Sequence, residues 1–361
     1  MKRICFVDFD MSVTGGVEQV TASLVNALCK TYKVYLWAAT NMNGELAYEI
    51  DPRVVYTQME GKEERLRNLI TRSFKPFRKF IKENQIDIVV MMGNYPALIV
   101  GGTRPFTKAK YIYCDHGALM NQWHQKDITL IRFFDARMSH KVVTLTEKTR
   151  DDYRRQFHLP KKKVTCIANW IDTERLKKEK PYDIKSKKIL TVGRFGKEKG
   201  YDLLVKVAER VLPKNPKWEW HLYGTGETFE EIKSLIKEKG LENQLILKGN
   251  VKDAHRIFQE YAFLVLTSYR EGLPIVLLEA AALGLPMVSF DIETGPSEII
   301  EDEKSGCLIP PYDTARMAAA IGNLMQDEEK RKRYSQGTKD IVEKFAKERI
   351  LQRWIQLFEH M

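Results

Sequence analysis

The sequence predicts an α/β protein of two doubly wound domains, each with a parallel sheet covered by helices on both faces. Three observations lead to this fold class. Short β-branched runs alternate with helical patterns along the whole chain. The 361 residues exceed one ordinary domain and suit two. The composition, 43% hydrophobic and 30% charged, supplies two cores and a water-exposed surface.

The predicted strands are ten short apolar runs of the length expected for buried strands. Helical patterns separate them, including those at 16–30, 201–212 and 228–240. This alternation favours parallel sheets throughout. The runs lie at 3–9, 34–39, 87–92, 111–116, 142–146, 188–193, 220–224, 245–249, 263–268 and 286–290.

The two domains are predicted to meet at a polar, Lys-rich stretch, 169–188, that is typical of a linker. We expect an N-terminal domain at 1–170 and a C-terminal domain at 171–345. A last helix at about 346–361 is expected to pack back on the N-terminal domain. Ligands of such sheets bind beyond the carboxyl ends of the strands, so the site is expected in a cleft where the two domains face each other.

The net charge of +11 lies entirely in the first half of the chain. Residues 1–180 hold 31 basic and 20 acidic side chains, whereas residues 181–361 hold 28 of each. The first half is therefore expected to face an anionic partner, such as a membrane surface or a phosphorylated substrate. Nucleic acid is disfavoured because basic residues do not recur with stacking aromatic residues.

Targeting and redox features indicate a cytoplasmic protein. No run approaches the roughly 18 apolar residues of a membrane span. The first 13 residues carry acids within their apolar stretch and lack a small-residue cleavage site, unlike a signal peptide. The five cysteines are scattered without a C-x-x-C pair, which favours a reduced protein without a structural zinc.

The first strand-to-helix turn of interest follows the strand at 188–193. Arg194 and Lys199 precede a helix there, and two glycines, Gly196 and Gly200, free the backbone. Basic side chains before a helix N-terminus suit phosphate oxygens. A solvated basic loop is the alternative.

The second turn contains Gly224 and Gly226, which allow the backbone to approach a ligand closely. Asn250 and Val251 follow the next strand. Together these residues are expected to form a nucleobase pocket, although G-x-G is a weak signal by itself.

The third turn precedes an apolar run that contains two carboxylates, Glu271 and Glu279. Pro274 suits the first turn of a helix, whose free N–H groups would accept an anion. Glu279 lies more than one turn inside that helix, and a buried carboxylate needs a partner. A ribose diol would satisfy it, and the alternative is a distant arginine.

Together these motifs resemble the retaining glycosyltransferases of family four, which share the GT-B fold of two Rossmann-like domains. The most specific motif is E-x7-E, Glu271 to Glu279, and further motifs stand at 169–172, 191–200 and 294–310. The resemblance covers nearly the whole chain. It implies a nucleotide-sugar donor, expected to be linked to UDP, as substrate and no cofactor.

The resemblance also implies roles for individual residues. Arg194 and Lys199 would hold the donor diphosphate, and Glu279 would hold the ribose hydroxyls. Glu271 would meet the sugar and phosphate together with the loop and helix start that follow it: Gly272, Leu273, Pro274 and Ile275. Pro274 itself has no N–H to give.

In the N-terminal domain, the stretch 8–24 resembles the family's glycine-rich loop, in which Gly15 and Gly16 would approach the diphosphate and sugar. His116, at a strand end before Gly117, stands where the family has an active-site histidine. The implied catalytic residues are therefore His116, Arg194, Lys199 and Glu271. A structural role is the alternative for His116.

The sequence departs from the family pattern at two places. Trp170 follows Asn169 where the family usually has glycine, so that turn is expected to differ. Leu273 and Pro274 stand where Phe-Gly is common. The run 288–300 resembles a subgroup that builds bacterial surface polysaccharides on lipid carriers, using UDP-hexoses or UDP-N-acetylhexosamines. Asp8 and Asp10 have the spacing of a metal site in other glycosyltransferases, but a metal is not expected here.

The segment 64–85 predicts a basic amphipathic helix, kinked or divided at Pro76. Such a helix suits peripheral contact with an anionic membrane at the inner face of the plasma membrane, where a lipid-linked saccharide acceptor would lie. A solvated domain helix is the alternative. Its basic residues are Arg65, Arg67, Arg72, Lys75, Arg78, Lys79 and Lys82.

Three other functions remain open from the sequence. A nucleotide-sugar epimerase can use the same architecture, and a UDP-sugar assay without acceptor would distinguish it. A non-catalytic basic binding module would leave Glu271 and Glu279 unexplained. An inactive scaffold is disfavoured by the intact set of Arg194, Lys199, Glu271 and Glu279.

Overall fold

The computed structural model describes residues 1–59, 65–176, 180–251 and 254–361. These residues form two compact units. Unit 1 comprises 1–168 and 350–361, and unit 2 comprises 169–349. Glu64, which opens the predicted basic segment, and positions 177–179 of the predicted linker lie outside the described residues.

Unit 1 contains a seven-stranded parallel sheet. Its strands are β1 (Arg3–Asp10), β2 (Lys33–Thr40), β3 (Val55–Gln58), β4 (Ile88–Met92), β5 (Lys110–Asp115), β6 (Lys141–Thr144) and β7 (Val164–Cys166). The spatial order is β3-β2-β1-β4-β5-β6-β7. The direction of winding therefore reverses between β1 and β4, which makes that pair the switch point of the sheet.

The helices of unit 1 follow its strands along the chain. They are α1 (Gly16–Leu28), α2 (Leu66–Glu83), α3 (Asn94–Val100), α4 (Lys126–Met138) and α5 (Glu147–Gln156), with short 3-10 segments at Gly101–Phe106 and Met120–Gln122.

Unit 2 contains a six-stranded parallel sheet. Its strands are β8 (Lys188–Val192), β9 (Glu219–Tyr223), β10 (Leu245–Gly249), β11 (Phe263–Leu266), β12 (Met287–Phe290) and β13 (Gly306–Ile309). The order is β10-β9-β8-β11-β12-β13, so the switch point lies between β8 and β11.

The helices that begin in unit 2 include the last helix of the chain. They are α6 (Tyr201–Val211), α7 (Phe229–Glu238), α8 (Ile275–Ala282), α9 (Pro296–Ile299), α10 (Thr314–Gln326), α11 (Glu328–Lys344) and α12 (Lys347–Glu359). Short 3-10 segments lie at Lys197–Lys199, Leu212–Lys214 and Ala254–Glu260. The two predicted doubly wound, Rossmann-like folds are thus confirmed.

All ten predicted strands are present, and three more, β3, β7 and β13, were not predicted. Each of the three lies at an edge of its sheet. A central strand such as β4 is buried along its whole length and forms a continuous apolar run. An edge strand lacks one neighbour, and Val55 in β3 remains 41% exposed. The apolar pattern is therefore weaker in β3, whereas β7 has only three residues and β13 opens on a glycine, so neither gives a long apolar run.

Helix α2 carries the basic segment and continues through Pro76 as one helix. Of the two predicted alternatives, a kink or a division at Pro76, the division is therefore wrong. Pro76 is exposed, so water can hydrate the carbonyl that its missing N–H leaves unpaired. The apolar stripe of α2 faces inward: Leu69, Phe77 and Ile81 are buried, and the Phe77 ring lies 4.9 Å from that of Trp37.

Helix α12 belongs to unit 1 from Ile350 onward. Its Trp354 and Phe358 are buried, and the Phe358 ring meets that of Tyr32 edge-on at 5.8 Å. Arg353 donates a hydrogen bond to the carbonyl of Cys166 at 2.6 Å. Among the described residues, no helix combines the length and the apolar character needed to cross a membrane.

Candidate functional site

The switch point of unit 2 brings together two of the predicted catalytic residues. Lys199, in the turn after β8, places its Nζ 2.7 Å from Oε1 of Glu271, in the turn after β11. Ser268 donates its hydroxyl to the same oxygen at 2.6 Å. The Thr267 hydroxyl donates to the backbone carbonyl of Lys199 at 3.3 Å. One cation and one carboxylate thus lie side by side where ligands of parallel sheets bind.

Gly200 allows these two turns to approach so closely. Its φ is +63°, in the left-handed region, and it caps the start of α6. A Cβ at this position would lie 2.2 Å from the carbonyl oxygen of Thr267. Only glycine therefore suits both the conformation and the contact.

Arg194 lies in the same turn but does not join the Lys199–Glu271 pair. Its exposed guanidinium donates to Oε1 of Glu198 at 2.8 Å. Burial would raise the pKa of Glu198, but its own backbone N–H and Arg194 lower it below the usual value. The structure therefore holds Arg194 at the exposed side of the turn.

The loop that carries Glu271 is braced by the turn after β12. The Thr294 hydroxyl donates to the Glu271 carbonyl at 2.8 Å. A Cβ at Gly295 would lie 2.8 Å from the carbonyl oxygen of Gly272. The loop ends at Pro274, which caps α8 with its backbone alone, without a side-chain hydrogen bond among the described residues. The N–H groups in the first turn of α8 can therefore donate hydrogen bonds to a bound anion.

Glu279 is the fifth residue of α8, and its side chain is 13% exposed. Nη2 of Arg175 lies 2.5 Å from its Oε1. The arginine partner that the sequence left as the alternative is thus present. The ribose role of Glu279 stays a prediction.

Gly224 and Gly226 are required by packing between neighbouring turns, a reason that the sequence did not reveal. Their φ angles are +132° and +155°. A Cβ at Gly224 would lie 1.9 Å from the carbonyl oxygen of Gly193, and one at Gly226 would lie 2.5 Å from that of Phe195. The turns after β8 and β9 therefore form one surface.

Asn250 and Val251 follow β10, the edge strand beside β9. The Gly224 N–H donates to the carbonyl of Gly249 at 2.8 Å, which joins this turn to the one after β9. The predicted nucleobase residues thus continue the same carboxyl edge, away from the Lys199–Glu271 pair.

In unit 1, Gly15 caps the start of α1, and Gly16 is the first residue of that helix. A Cβ at Gly15 would lie 2.1 Å from a carboxylate oxygen of Glu18. The glycine therefore leaves room for the Glu18 side chain in this loop. Burial, together with the charge of Asp8, raises the pKa of Glu18 to about 7. The Tyr48 hydroxyl donates to the Gly15 carbonyl at 3.0 Å.

His116 lies at the carboxyl end of β5, where the sequence predicted it. Burial lowers its pKa to about 4, although the charge of Asp115 opposes this shift. Its Nε2 is buried and makes no hydrogen bond within the described part of the chain. The imidazole is therefore neutral at pH 7, with a buried nitrogen that no described protein group satisfies.

Asp8 and Asp10 bind neighbouring protein groups. The Thr21 hydroxyl donates to Asp8, and the Ser12 N–H and hydroxyl both donate to Oδ1 of Asp10. The Met42 N–H donates to Oδ2 of Asp10 at 2.9 Å. In the chain outside 60–64, 177–179 and 252–253, no three His, Cys, Asp or Glu side chains gather as a metal site.

Several residues that shape these turns were missed from the sequence: Arg175, Ser268, Thr294, Asp115 and Arg132. Ser268 and Asp115 had a signal, since Ser268 ends the predicted strand before Glu271 and Asp115 directly precedes His116. Arg175 and Arg132 had none, because they meet their carboxylates, Glu279 and Asp115, only through the tertiary fold.

Two family models match this chain. The model described as Glycosyltransferase Family 4 matches residues 14–175, and the model described as Glycosyl transferases group 1 matches residues 172–341. Each model covers most of one unit, and together they span nearly the whole chain.

Two curated relatives are transferases of N-acetylated sugars. Poly(ribitol-phosphate) alpha-N-acetylglucosaminyltransferase of Staphylococcus aureus is 29% identical over 78% of this chain and 57% of its own length. N-acetylgalactosamine-N,N'-diacetylbacillosaminyl-diphospho-undecaprenol 4-alpha-N-acetylgalactosaminyltransferase of Campylobacter jejuni is 26% identical over 93% of this chain and 94% of its own.

Among solved structures, a mutant of TarM from S. aureus in complex with Fondaparinux, alpha-GlcNAc-glycerol and UDP has a TM-score of 0.78. The likeness covers 99% of this chain and 100% of that one at 18% identity. At this identity the comparison shows a common fold.

Proposed function

Because this chain belongs to the glycosyltransferases of family four and has their GT-B fold, we propose that it transfers a sugar from a nucleotide donor with retention of configuration. The donor is a UDP-linked hexose or N-acetylhexosamine, and the acceptor is a lipid-linked saccharide in surface polysaccharide synthesis. The observation that carries the proposal is the Lys199–Glu271 pair, 2.7 Å apart at the switch point of unit 2.

The donor diphosphate binds between the Lys199 turn and the start of α8. Lys199 supplies a point charge, and the uncapped N–H groups of α8 supply oriented dipoles. Arg194 is exposed in the same turn. It releases its ion pair with Glu198 and then binds oxygens of the diphosphate. These groups can neutralise the leaving diphosphate, so the proposed reaction is metal-independent.

The rest of the donor extends along the carboxyl edge of unit 2. Glu279, which pairs with Arg175 in the structure, accepts the ribose hydroxyls. The base lies against the turns that carry Gly224, Gly226 and Asn250, and Glu271 accepts hydroxyls of the transferred sugar.

In the reaction, the bond between the sugar C1 and the diphosphate oxygen breaks while the acceptor oxygen bonds to C1 on the same face. The acceptor proton passes to the leaving diphosphate, so atoms and charge balance without an added base. Lys199 and Arg194 stabilise the charge that grows on the leaving group. Neutral His116 contacts a hydroxyl of the transferred sugar through Nε2, and the loop at Gly15 and Gly16 approaches the donor.

The acceptor class is supported by the relatives, one of which is named for a diphospho-undecaprenol substrate. A lipid-linked acceptor requires the enzyme to work at a membrane surface, as a peripheral protein on the inner face of the plasma membrane. Exposed cations of α2, including Lys75, Arg78 and Lys79, favour an anionic surface. The apolar stripe of α2 faces the core, so its contact with lipid is electrostatic.

The test incubates the protein with UDP-sugars and lipid-linked saccharides in detergent, with and without EDTA. We expect UDP release and glycosylated product in both conditions. NMR of the product should show the same anomeric configuration as in the donor. A product of inverted configuration, or full loss of transfer in EDTA, would overturn the corresponding part of the proposal. Conversion of a UDP-sugar to its epimer without acceptor would assign the protein to the epimerases.

A further inference from the structure

Unit 2 opens with residues 169–175, which we call the entry segment, and this segment contacts the helix that carries Glu279. Asn169 is buried, and its side-chain amide donates to the carbonyl of Leu273, in the loop before α8, at 3.5 Å. Arg175, at the other end of the segment, places Nη2 2.5 Å from Oε1 of Glu279, one turn inside α8. The start of the predicted linker therefore belongs to the surroundings of the E-x7-E motif.

The backbone of Arg175 is held in place by Asp172. Oδ1 of Asp172 accepts a hydrogen bond from the Arg175 N–H at 3.2 Å, and its Oδ2 lies 3.2 Å from Nζ of Lys347, the first residue of α12. The N–H of Ile171 donates to the carbonyl of Phe345, directly after α11, at 2.8 Å. Because the entry segment is fixed in this way, less freedom is lost when the Arg175 guanidinium forms its ion pair.

The ion pair supplies a charge that Glu279 needs. The Glu279 side chain is only 13% exposed, on a helix where the adjacent residues Leu278 and Ala280 are buried. An ionised carboxylate in such surroundings is costly without a positive partner. A ribose is neutral and the donor diphosphate is negative, so neither can neutralise Glu279. Arg175 therefore keeps the carboxylate ionised and able to accept hydroxyl groups.

We propose that Arg175 is a positioning residue, which orients the Glu279 carboxylate towards the ribose diol of the donor and thereby selects ribonucleotides over 2′-deoxyribonucleotides. A carboxylate held in one rotation meets two hydroxyls at fixed places, whereas one that is free to turn can adapt to a single hydroxyl. A site built for a hydroxyl rejects the analogue that lacks it, because a polar group of the site is then left unpaired. The proposal rests on the ribose role of Glu279 in the proposed function, and it names the residue on which that role depends.

The opposite role would have Arg175 block Glu279 and leave before ribose binds. Its departure would bring the Glu279 carboxylate and the negative diphosphate into one site with one cation fewer, at an electrostatic cost. The contacts of Asp172 also hold the backbone of Arg175 beside Glu279. Charge and geometry therefore both favour the positioning role, and the two roles predict opposite changes in UDP affinity.

The test is calorimetric titration of the full chain with UDP and with 2′-deoxy-UDP. Arg175→Met should raise the Kd of UDP by about tenfold and that of 2′-deoxy-UDP by about twofold at most, so that the preference for ribose shrinks. Arg175→Lys keeps the charge and should restore part of the preference. Arg316→Met is the matched control, because Arg316 forms an exposed ion pair with Asp313 in the same unit, and it should leave both Kd values unchanged.

An equal rise of both Kd values in Arg175→Met would overturn the proposal and leave Arg175 as an anchor of the entry segment. Tighter UDP binding would overturn it in favour of the blocking role. In a Glu279→Gln background, Arg175→Met should add less than about twofold, and a further tenfold loss would show that Arg175 acts without Glu279.

The wild-type protein separates this proposal from the proposed function. If wild type binds UDP and 2′-deoxy-UDP equally, the ribose role of Glu279 fails, and the positioning role of Arg175 fails with it. If wild type prefers UDP and Arg175→Met keeps that preference in full, only the positioning role fails.

Discussion

Arg132 forms a buried ion pair with Asp115, the residue directly before His116. Nε of Arg132 lies 3.1 Å from Oδ2 of Asp115, and the two side chains are 1% and 2% exposed. The Gly117 N–H donates to Oδ1 of Asp115 at 2.9 Å, and a Cβ at Gly117 would lie 2.5 Å from Nη2 of Arg132. The pair therefore fixes the backbone on both sides of His116.

Breaking this pair should be costly because it leaves a buried charge without its partner. We expect Arg132→Met and Asp115→Asn each to lower the free energy of unfolding by about 3–5 kcal/mol. The double variant should lose less than the sum of the two, since it removes both charges. Urea denaturation of the four proteins measures the coupling, and strictly additive losses would contradict the pairing.

Lys199→Ala should lower turnover with little effect on the Michaelis constant for the donor. The leaving-group charge that Lys199 stabilises grows towards the transition state, so we expect the activation free energy to rise by about 3 kcal/mol. Arg194→Ala should act in the same direction. Lys197→Ala is the matched control because Lys197 is an exposed lysine of the same turn. Initial-rate measurements over a range of donor concentrations give the turnover of each variant. Equal turnover for Lys199→Ala and Lys197→Ala would show that Lys199 does not belong to the site.

Glu279→Gln should weaken UDP binding, because a neutral amide replaces the carboxylate that accepts the ribose hydroxyls. Hydrogen bonds to a charged group contribute about 1.5–3 kcal/mol, which corresponds to a rise of tenfold or more in Kd. Calorimetric titration with UDP measures this. Glu242→Gln, at an exposed position in the same unit, should leave the Kd unchanged. If Glu279→Gln binds as tightly as that control, Glu279 serves only to pair with Arg175.

Two glycine-to-alanine changes in unit 2 should have opposite effects on stability. Gly224→Ala should lose more than about 2 kcal/mol, because φ is +132° and the new Cβ would overlap the Gly193 carbonyl. Gly322→Ala lies inside α10, where the nearest atom to a Cβ is 3.7 Å away, and should gain about 0.5–1 kcal/mol. Thermal unfolding compares them, and a neutral Gly224→Ala would show that the turns after β8 and β9 can separate.

His140 should make stability depend on pH. Burial and nearby cations lower its pKa to about 4, and its Nδ1 accepts a hydrogen bond from the Tyr111 N–H at 2.9 Å. The unfolded chain binds this proton near pH 6.5, so stability should be complete above that pH and fall as pH drops towards 4. His140→Asn keeps an acceptor without the titration and should flatten this fall between pH 6.5 and 4. Urea denaturation of both proteins at pH 6.5 and at pH 4 measures this. An equal loss of unfolding free energy in wild type and His140→Asn would contradict the prediction.

The sequence predicted the sheets well because their central strands are buried on both faces and form unbroken apolar runs, as in β4 and β11. It missed β3, where Val55 is exposed, and β7 and β13, whose apolar runs are short. It suggested a kink or a division at Pro76, and the helix is not divided because packing of Leu69, Phe77 and Ile81 on the core offsets the lost hydrogen bond.

For the site, the sequence identified residues but not their contacts. Lys199 and Glu271 were both singled out, yet their ion pair joins positions 72 apart and depends on the strand order at the switch point. The roles of Gly224 and Gly226 were assigned to ligand approach, whereas the structure shows that neighbouring turns already require them. Arg175 and Arg132 could not be found, since an arginine in a polar stretch or a helix is ordinary until its partner is known.

The return of α12 to unit 1 has a consequence for how the protein is made. Unit 2 is one continuous stretch, 169–349, and can fold as soon as that stretch has left the ribosome. Unit 1 is not continuous, because it comprises 1–168 and 350–361. Its buried Trp354 and Phe358 are translated only after all of unit 2. The half of the protein that is synthesised first is therefore the half that is completed last, and until then Tyr32 and its neighbours offer an apolar surface to chaperones.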